Sequence, residues 1–155
     1  MTMKRLFLPL ILLILAFSAT ACAEKTTTTA GLDYEDFDYI EDYDEVFNRR
    51  EGTYIVYLYS ESCFNCGEIK RDVLAFADSY TDRAMFFFNV DNATAELQNA
   101  FLTTLGRTQV GTPSLILIKD NGFSTTASSR YFFSGASAVL SILTDLEKGT
   151  YQYWS

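Results

Sequence analysis

Cys63-Phe64-Asn65-Cys66 places two thiols two residues apart, and no other part of the chain points so directly to covalent chemistry. Thiols at that spacing can close a small disulfide ring or share a metal. A strand-like apolar run, Tyr54-Ile55-Val56-Tyr57-Leu58-Tyr59, leads into the pair, and a helix-like pattern follows it. At a helix start the free backbone amides and the helix dipole favour a thiolate on the first sulfur. The 155 residues include no histidine, which removes Ser-His-Asp and Cys-His catalysis and histidine metal ligation. Gly67 after Cys66 also removes haem attachment through C-x-x-C-H. Zinc usually takes four ligands, and there is no second cysteine pair to complete them. A purely structural disulfide remains open, but so short a loop gains little closure entropy. On the pair alone, a metal site, a staple and redox exchange all stay open; redox exchange calls for no cofactor and no metal.

The third cysteine, Cys22, has a separate explanation. Lys4-Arg5 is a basic start, Leu6 to Phe17 an apolar core, and Ser18-Ala19-Thr20-Ala21 a small-residue exit. This is the layout of an export signal over residues 1–21, with an apolar core short for a bilayer span. Small residues before Cys22 resemble the lipobox of bacterial lipoproteins, which implies lipidation of Cys22 and a lipid anchor. A lipidated Cys22 also leaves the remaining cysteines an even pair. Residues 22–32, with four consecutive threonines, read as the lipidated cysteine and a flexible tether. The expected location is the extracytoplasmic face of a bacterial membrane, with plain secretion as the alternative.

Composition agrees with one globular domain: 48% hydrophobic and 15% aromatic residues, with two prolines. The formal net charge is −8, and no cluster of Lys and Arg is present to neutralise phosphates. A nucleic-acid partner is therefore excluded. An acidic surface is also repelled by anionic lipid heads, so attachment to a membrane must come from the leader.

The elements that position the dithiol follow from periodicity. Tyr39, Ile40, Tyr43, Val46 and Phe47 recur at helical spacing within the acidic stretch Asp33 to Glu51, which predicts an amphipathic first helix. Tyr54 to Tyr59 reads as a strand buried on both faces. Ser60 or Ser62 is positioned to cap the helix after it, whose apolar face is Ile69, Val73, Phe76, Ala77 and Tyr80. Ala84 to Val90 is a second buried strand. Thr94 caps a helix bearing Leu97, Phe101 and Leu102. Ser114 to Ile118 is a third strand, and Asp120-Asn121-Gly122 a turn. The return strand is placed at Arg130 to Phe133, after a Ser124 to Ser129 loop. Gly135 then precedes a helix striped by Val139, Leu140, Ile142, Leu143 and Leu146. The order α-β-α-β-α-β-β-α gives an α/β fold with a mixed central β-sheet flanked by helices on both faces. Residues 33–149 form this domain, and residues 150–155 a tail that packs back on it.

Three features in order make the chain resemble the thioredoxin superfamily. They are the strand running into Cys63-Phe64-Asn65-Cys66, the strand ending Asn89-Val90-Asp91, and Gly111-Thr112-Pro113 before a strand and an Asn-Gly hairpin. The resemblance implies a thioredoxin fold and thiol–disulfide oxidoreductase activity. It also implies that Pro113 is a cis-proline beside the dithiol and that the backbone of Thr112 pairs with the substrate chain. Cys63, the more exposed, would be the nucleophile, and Cys66 would resolve the mixed disulfide. The chain departs from thioredoxin proper in several places. Tyr57 stands where a buried aspartate is usual, Ser62 where a tryptophan is, and Phe64-Asn65 where Gly-Pro is. Phe87 replaces a lysine and Arg71 a proline. Glu61 and Glu68 are the nearest carboxylates to the pair and read as solvated helix-end acids. The implied partners are exported protein thiols or disulfides, with a membrane electron donor or acceptor. The competing function is a non-enzymatic thioredoxin-fold module that binds exported peptides along the Thr112-Pro113 edge.

Overall fold

Five consecutive side chains, Tyr54 to Leu58, have no solvent exposure at all, and the architecture is arranged around them. The computed structural model describes residues 31–154. The signal segment 1–21, Cys22 and nearly all of the 22–32 tether therefore lie outside the described residues. The strands are β1 (Tyr39–Ile40), β2 (Tyr54–Tyr59), β3 (Ala84–Asn89), β4 (Ser114–Ile118) and β5 (Phe132–Ser134). The helices are α1 (Phe64–Ser79), α2 (Ala95–Leu105), the single turn α3 (Ser128–Tyr131) and α4 (Ala136–Glu147). The strands form one sheet in the order β1-β3-β2-β4-β5. The first three strands run parallel, and β4 and β5 are antiparallel additions.

Because successive strand residues point to opposite faces, the sheet divides its apolar residues into two layers. Ile55, Tyr57, Met85, Phe87, Leu115 and Leu117 pack with α1 and α4 on one face. Tyr54, Val56, Leu58, Phe86, Phe88 and Ile116 pack on the other, with Phe101 and Leu105 of α2. This is the mixed, doubly covered sheet expected from the strand and helix patterns.

The segment before β2 differs from the expected amphipathic helix. It consists of a 3-10 turn (Tyr34–Asp36), β1, and a second 3-10 turn (Tyr43–Phe47). Tyr34 and Phe37 belong to the layer with α1, whereas Ile40, Tyr43 and Val46 belong to the opposite layer. The chain crosses from one face of the sheet to the other at β1, which one continuous helix cannot do. The i, i+3 spacing of Ile40, Tyr43 and Val46 is shared by both helix types, so periodicity alone did not separate them.

Two smaller differences concern caps and the hairpin. Cys63 itself is the N-cap of α1, its Sγ accepting from the Cys66 amide at 3.1 Å, so neither Ser60 nor Ser62 fills that place. Asp120 and Asn121 take the left-handed backbone that the turn requires, with φ of 53° and 59°. Beyond it the chain forms a 3-10 turn and α3 before β5, so the return strand begins at Phe132 instead of Arg130. The tail does pack back: Trp154 is buried and its Nε1 donates to the Tyr80 hydroxyl at 3.0 Å.

Burial raises the phenols of Tyr34, Tyr43, Tyr54, Tyr57 and Tyr80 above their ordinary value, and pushes Tyr59 and Tyr151 up to about 12. The unfolded chain releases these protons near pH 10, before the folded chain does. Their contribution to stability is complete below that point and lost as pH rises through the folded values. The melting temperature should therefore hold steady up to about pH 10 and fall steeply towards pH 12. A scan of melting temperature against pH, with phenolate absorbance followed in parallel, checks this.

Candidate redox site

The site is built at the end of β2, where the buried strand delivers the chain to the surface in three residues. Ser60 is almost completely buried, while Glu61 and Ser62 are exposed. The Cys63 amide donates back to the Ser60 carbonyl at 3.2 Å, turning the chain into α1. Asp91, just past β3, holds this turn from the neighbouring strand. Its carboxylate accepts from the Ser60 hydroxyl at 2.9 and 2.8 Å and from the Glu61 amide at 3.1 Å. The Asn89 side chain in turn accepts from the Asp91 amide at 3.0 Å. Sequence reading missed this clamp. The signal was available, since the parallel pairing of Tyr59 with Asn89 sets Asp91 level with Glu61.

Cys63 and Cys66 are joined as a disulfide, with Cα atoms 5.2 Å apart. Cys63 is half-buried and Cys66 only 2% exposed, so the outer sulfur is the one that solvent and partners reach. The Cys63 carbonyl accepts from the amides of Cys66 and Gly67 at 3.1 and 3.2 Å, which places the pair within the first turn. No acidic residue lies in that turn, so nothing there offsets the positive end of the helix. A thiolate on Cys63 after reduction meets the Cys66 amide that already points at its sulfur. Phe64, between the cysteines, is 79% exposed.

Thr112 and Pro113 reach the same end of the sheet. Ser114 pairs with Leu58, so Pro113 stands one step beyond that pair, level with the end of β2. The Thr112–Pro113 peptide is cis, as the resemblance implied. Pro113 is buried, and its carbonyl accepts from the Gly135 amide at 2.8 Å. Among the described residues the backbone N–H and C=O of Thr112 make no hydrogen bond. Cys22 falls outside the described residues.

The N-terminal segment brings in residues that the sequence reading did not assign to the site. Asp33, Tyr34, Tyr59 and Lys70 line a groove of about 320 Å³ with Cys63 and Cys66. Lys70 Nζ lies 2.6 Å from Asp33 Oδ1 and 4.6 Å over the ring of Tyr34. The Lys70 bond, the main cause, and the Tyr34 amide hold the Asp33 carboxyl below its ordinary value. No pattern in the sequence links Asp33-Tyr34 to a helix that begins thirty positions later.

No group of His, Cys, Asp and Glu able to hold a metal is present among the described residues. No family model and no curated protein sequence matches the chain. Among solved structures it is similar to oxidised mitochondrial thioredoxin 3 from Saccharomyces cerevisiae, at 18% identity and a TM-score of 0.52, over 76% of this chain and 95% of that one. It is likewise similar to thioredoxin from Trypanosoma brucei brucei, at 14% identity and a TM-score of 0.52, over 76% and 96% of the two chains. Plasmodium falciparum thioredoxin aligns at 14% identity and a TM-score of 0.51, over 70% and 97%. The chain therefore has the thioredoxin fold. Its site is a disulfide-forming cysteine pair at the start of that fold's first long helix.

Two variants test how the site is held. Asp91→Ala should lower the unfolding free energy by about 1–2 kcal/mol, since it removes an ionised acceptor from a nearly buried hydroxyl. It should also speed hydrogen exchange at the Glu61 amide, and Asp91→Asn should keep part of both. Tyr57→Phe with Tyr34→Phe should act in the other direction. The Tyr57 and Tyr34 hydroxyls are buried and neither makes a hydrogen bond of acceptable geometry. Removing the Tyr57 hydroxyl together with that of Tyr34 should raise stability by about 1 kcal/mol, measured by denaturant unfolding.

Proposed function

We propose that this chain is a thiol–disulfide oxidoreductase that exchanges disulfides with exported proteins from the extracytoplasmic face of a bacterial membrane. The observation that carries the reading is the Cys63–Cys66 disulfide at the N-terminus of α1, with its outer residue half-exposed and its inner one buried. A staple does not need that asymmetry. Exchange does, because one sulfur must meet the substrate and the other must be shielded until the mixed disulfide forms.

The reaction balances with two sulfurs on each side. In the reducing direction the Cys63 thiolate attacks one substrate sulfur, and the substrate disulfide breaks to release a thiolate, which takes up a proton. Cys66, as its thiolate, then attacks Cys63 Sγ. The second substrate thiolate leaves, the Cys63–Cys66 disulfide forms, and two electrons have passed to the substrate. The oxidising direction is the same sequence reversed, beginning from the disulfide seen here. The unpaired backbone of Thr112 supports a role in aligning an extended substrate chain. Membrane tethering through a lipidated Cys22, and a membrane electron donor or acceptor that resets the pair, complete the proposal. These rest on the leader sequence and the lipobox-like Ala19-Thr20-Ala21-Cys22.

Exchange with a disulfide-bonded protein substrate, followed by thiol release, tests the activity. Cys63→Ser should abolish it, and Cys66→Ser should accumulate mixed disulfides on Cys63 that reductant dissolves. Retention of full exchange by Cys63→Ser would overturn the reading. Alkylation of free thiols in intact cells then gives the direction: a resting dithiol marks a reductase and a resting disulfide an oxidase.

A further inference from the structure

The groove beside the disulfide does not end there. A second groove, of about 420 Å³, shares Tyr34, Glu35, Tyr59 and Glu61 with it and continues to Tyr39 on the edge strand β1. Two carboxylates and three tyrosines line this second groove, and no Lys or Arg does. The Tyr34 and Tyr59 rings pack with centroids 4.0 Å apart, tilted by 33°, and Tyr34 lies 5.4 Å from Phe87. Tyr39, 58% exposed, lines the far end of the path.

The first groove already shows how these side chains hold a cation. Lys70 reaches into it with its ammonium against the Asp33 carboxylate and over the Tyr34 ring. The second groove repeats that combination, with Glu35 and Glu61 exposed beside Tyr39 and Tyr59, but supplies no cation of its own. An ammonium or guanidinium over a tyrosine face is attracted by the negative face of the ring, and a nearby carboxylate adds to that attraction. Burial first, and then the charges of Glu61, Asp33 and Glu35, push the Tyr59 phenol up to about 12. Its ring is therefore neutral at ordinary pH and lies in a field that attracts positive charge.

We propose that the groove from Cys63 to Tyr39 is a second docking surface for substrates of the dithiol, on the opposite side of β2 from the Thr112 backbone, and that it takes a segment carrying Lys or Arg beside apolar residues. The proposal rests on the reading of Cys63 and Cys66 as a redox pair. Long basic side chains suit the site because their aliphatic stems cover exposed aromatic surface while their charged ends meet Glu35 and Glu61. Substrates with an acidic segment next to the disulfide are disfavoured by the same carboxylates, so the groove selects among partners as well as binding them.

Two fluorescent cysteine-free peptides of equal length, one with Lys and Arg between apolar residues and one with Glu and Asp in their place, test the groove by anisotropy with the full chain. The cationic peptide should bind about tenfold more tightly than the anionic one at low salt, and the preference should shrink as salt is raised. Glu35→Gln with Glu61→Gln should remove most of the preference, and Tyr39→Ser should weaken it. Asp78→Asn with Glu147→Gln removes the same net charge away from the groove and should leave it intact. Equal binding of the two peptides overturns the proposal, as does an equal loss in the distant double variant. The same peptides with a flanking disulfide separate the two readings. Charge-selective binding without exchange overturns the oxidoreductase and leaves the groove, whereas exchange without charge selectivity overturns the groove.

Discussion

The burial of β2 on both faces is the constraint on which the site depends. Tyr54 to Leu58 are fully enclosed between two apolar layers, and each such side chain contributes about 1.5–3 kcal/mol relative to an exposed one. A strand held that firmly can neither slide nor turn over, because a one-residue slip would exchange its two faces. The chain leaving Tyr59 therefore starts from a fixed point. Five residues later α1 begins, and the Asp91 clamp to Ser60 and Glu61 removes most of the remaining freedom. The position of Cys63 follows from packing well before any property of sulfur enters.

Register carries the same constraint sideways. Parallel pairing with β3 brings Asp91 level with the loop, and antiparallel pairing with β4 brings Thr112 and Pro113 to the same end of the sheet. The outer cysteine, its clamp and the candidate pairing backbone follow or precede three strands that are neighbours in the sheet but far apart in sequence. The helix then adds the electrostatics. Cys63 as N-cap exposes its sulfur to the free amides of the first turn, and the absence of a carboxylate in that turn leaves their field uncompensated. The acidic residues instead sit to one side, along the groove lined by Glu35 and Glu61. Attraction for a thiolate and attraction for a basic segment are thus separated by only a few side chains.

The parts that could be read from the sequence are those governed by local rules. β2, β3 and β4 are continuous apolar runs, Thr94 caps α2 as placed, and Asp120-Asn121 turns the hairpin where expected. The dithiol needed only spacing, whereas the cis-proline followed from the resemblance and not from any local rule. What escaped depended on where the chain goes in three dimensions. The stretch from Tyr34 to Phe47 has one apolar spacing but serves two faces of the sheet, so its crossing at β1 left no mark in the periodicity. The cap of α1 escaped because a cysteine took a role usually given to the serines beside it. The Lys70–Asp33 pair, which walls the groove, joins segments with no pattern in common.

Tyr57 shows how the same core shapes the chemistry of the inner cysteine. In the thioredoxin-like pattern this strand position holds a carboxylate, and here it holds a phenol with no solvent exposure. Burial raises that phenol far above its ordinary value, so it stays protonated at any physiological pH and cannot take a proton from Cys66. Its nearest buried polar neighbour, Tyr34, is raised for the same reason. Among the described residues, neither of these two buried phenols can act as a base for Cys66. Glu61 and Lys70 lie in the groove that opens onto the disulfide, in contact with solvent. A proton leaving Cys66 has to pass outward along that groove, through water, past the side chains that would also meet the substrate. In the proposed reaction, substrate docking and deprotonation of Cys66 would share one opening, so a bound partner that excluded water from the groove would also govern how fast the mixed disulfide is resolved.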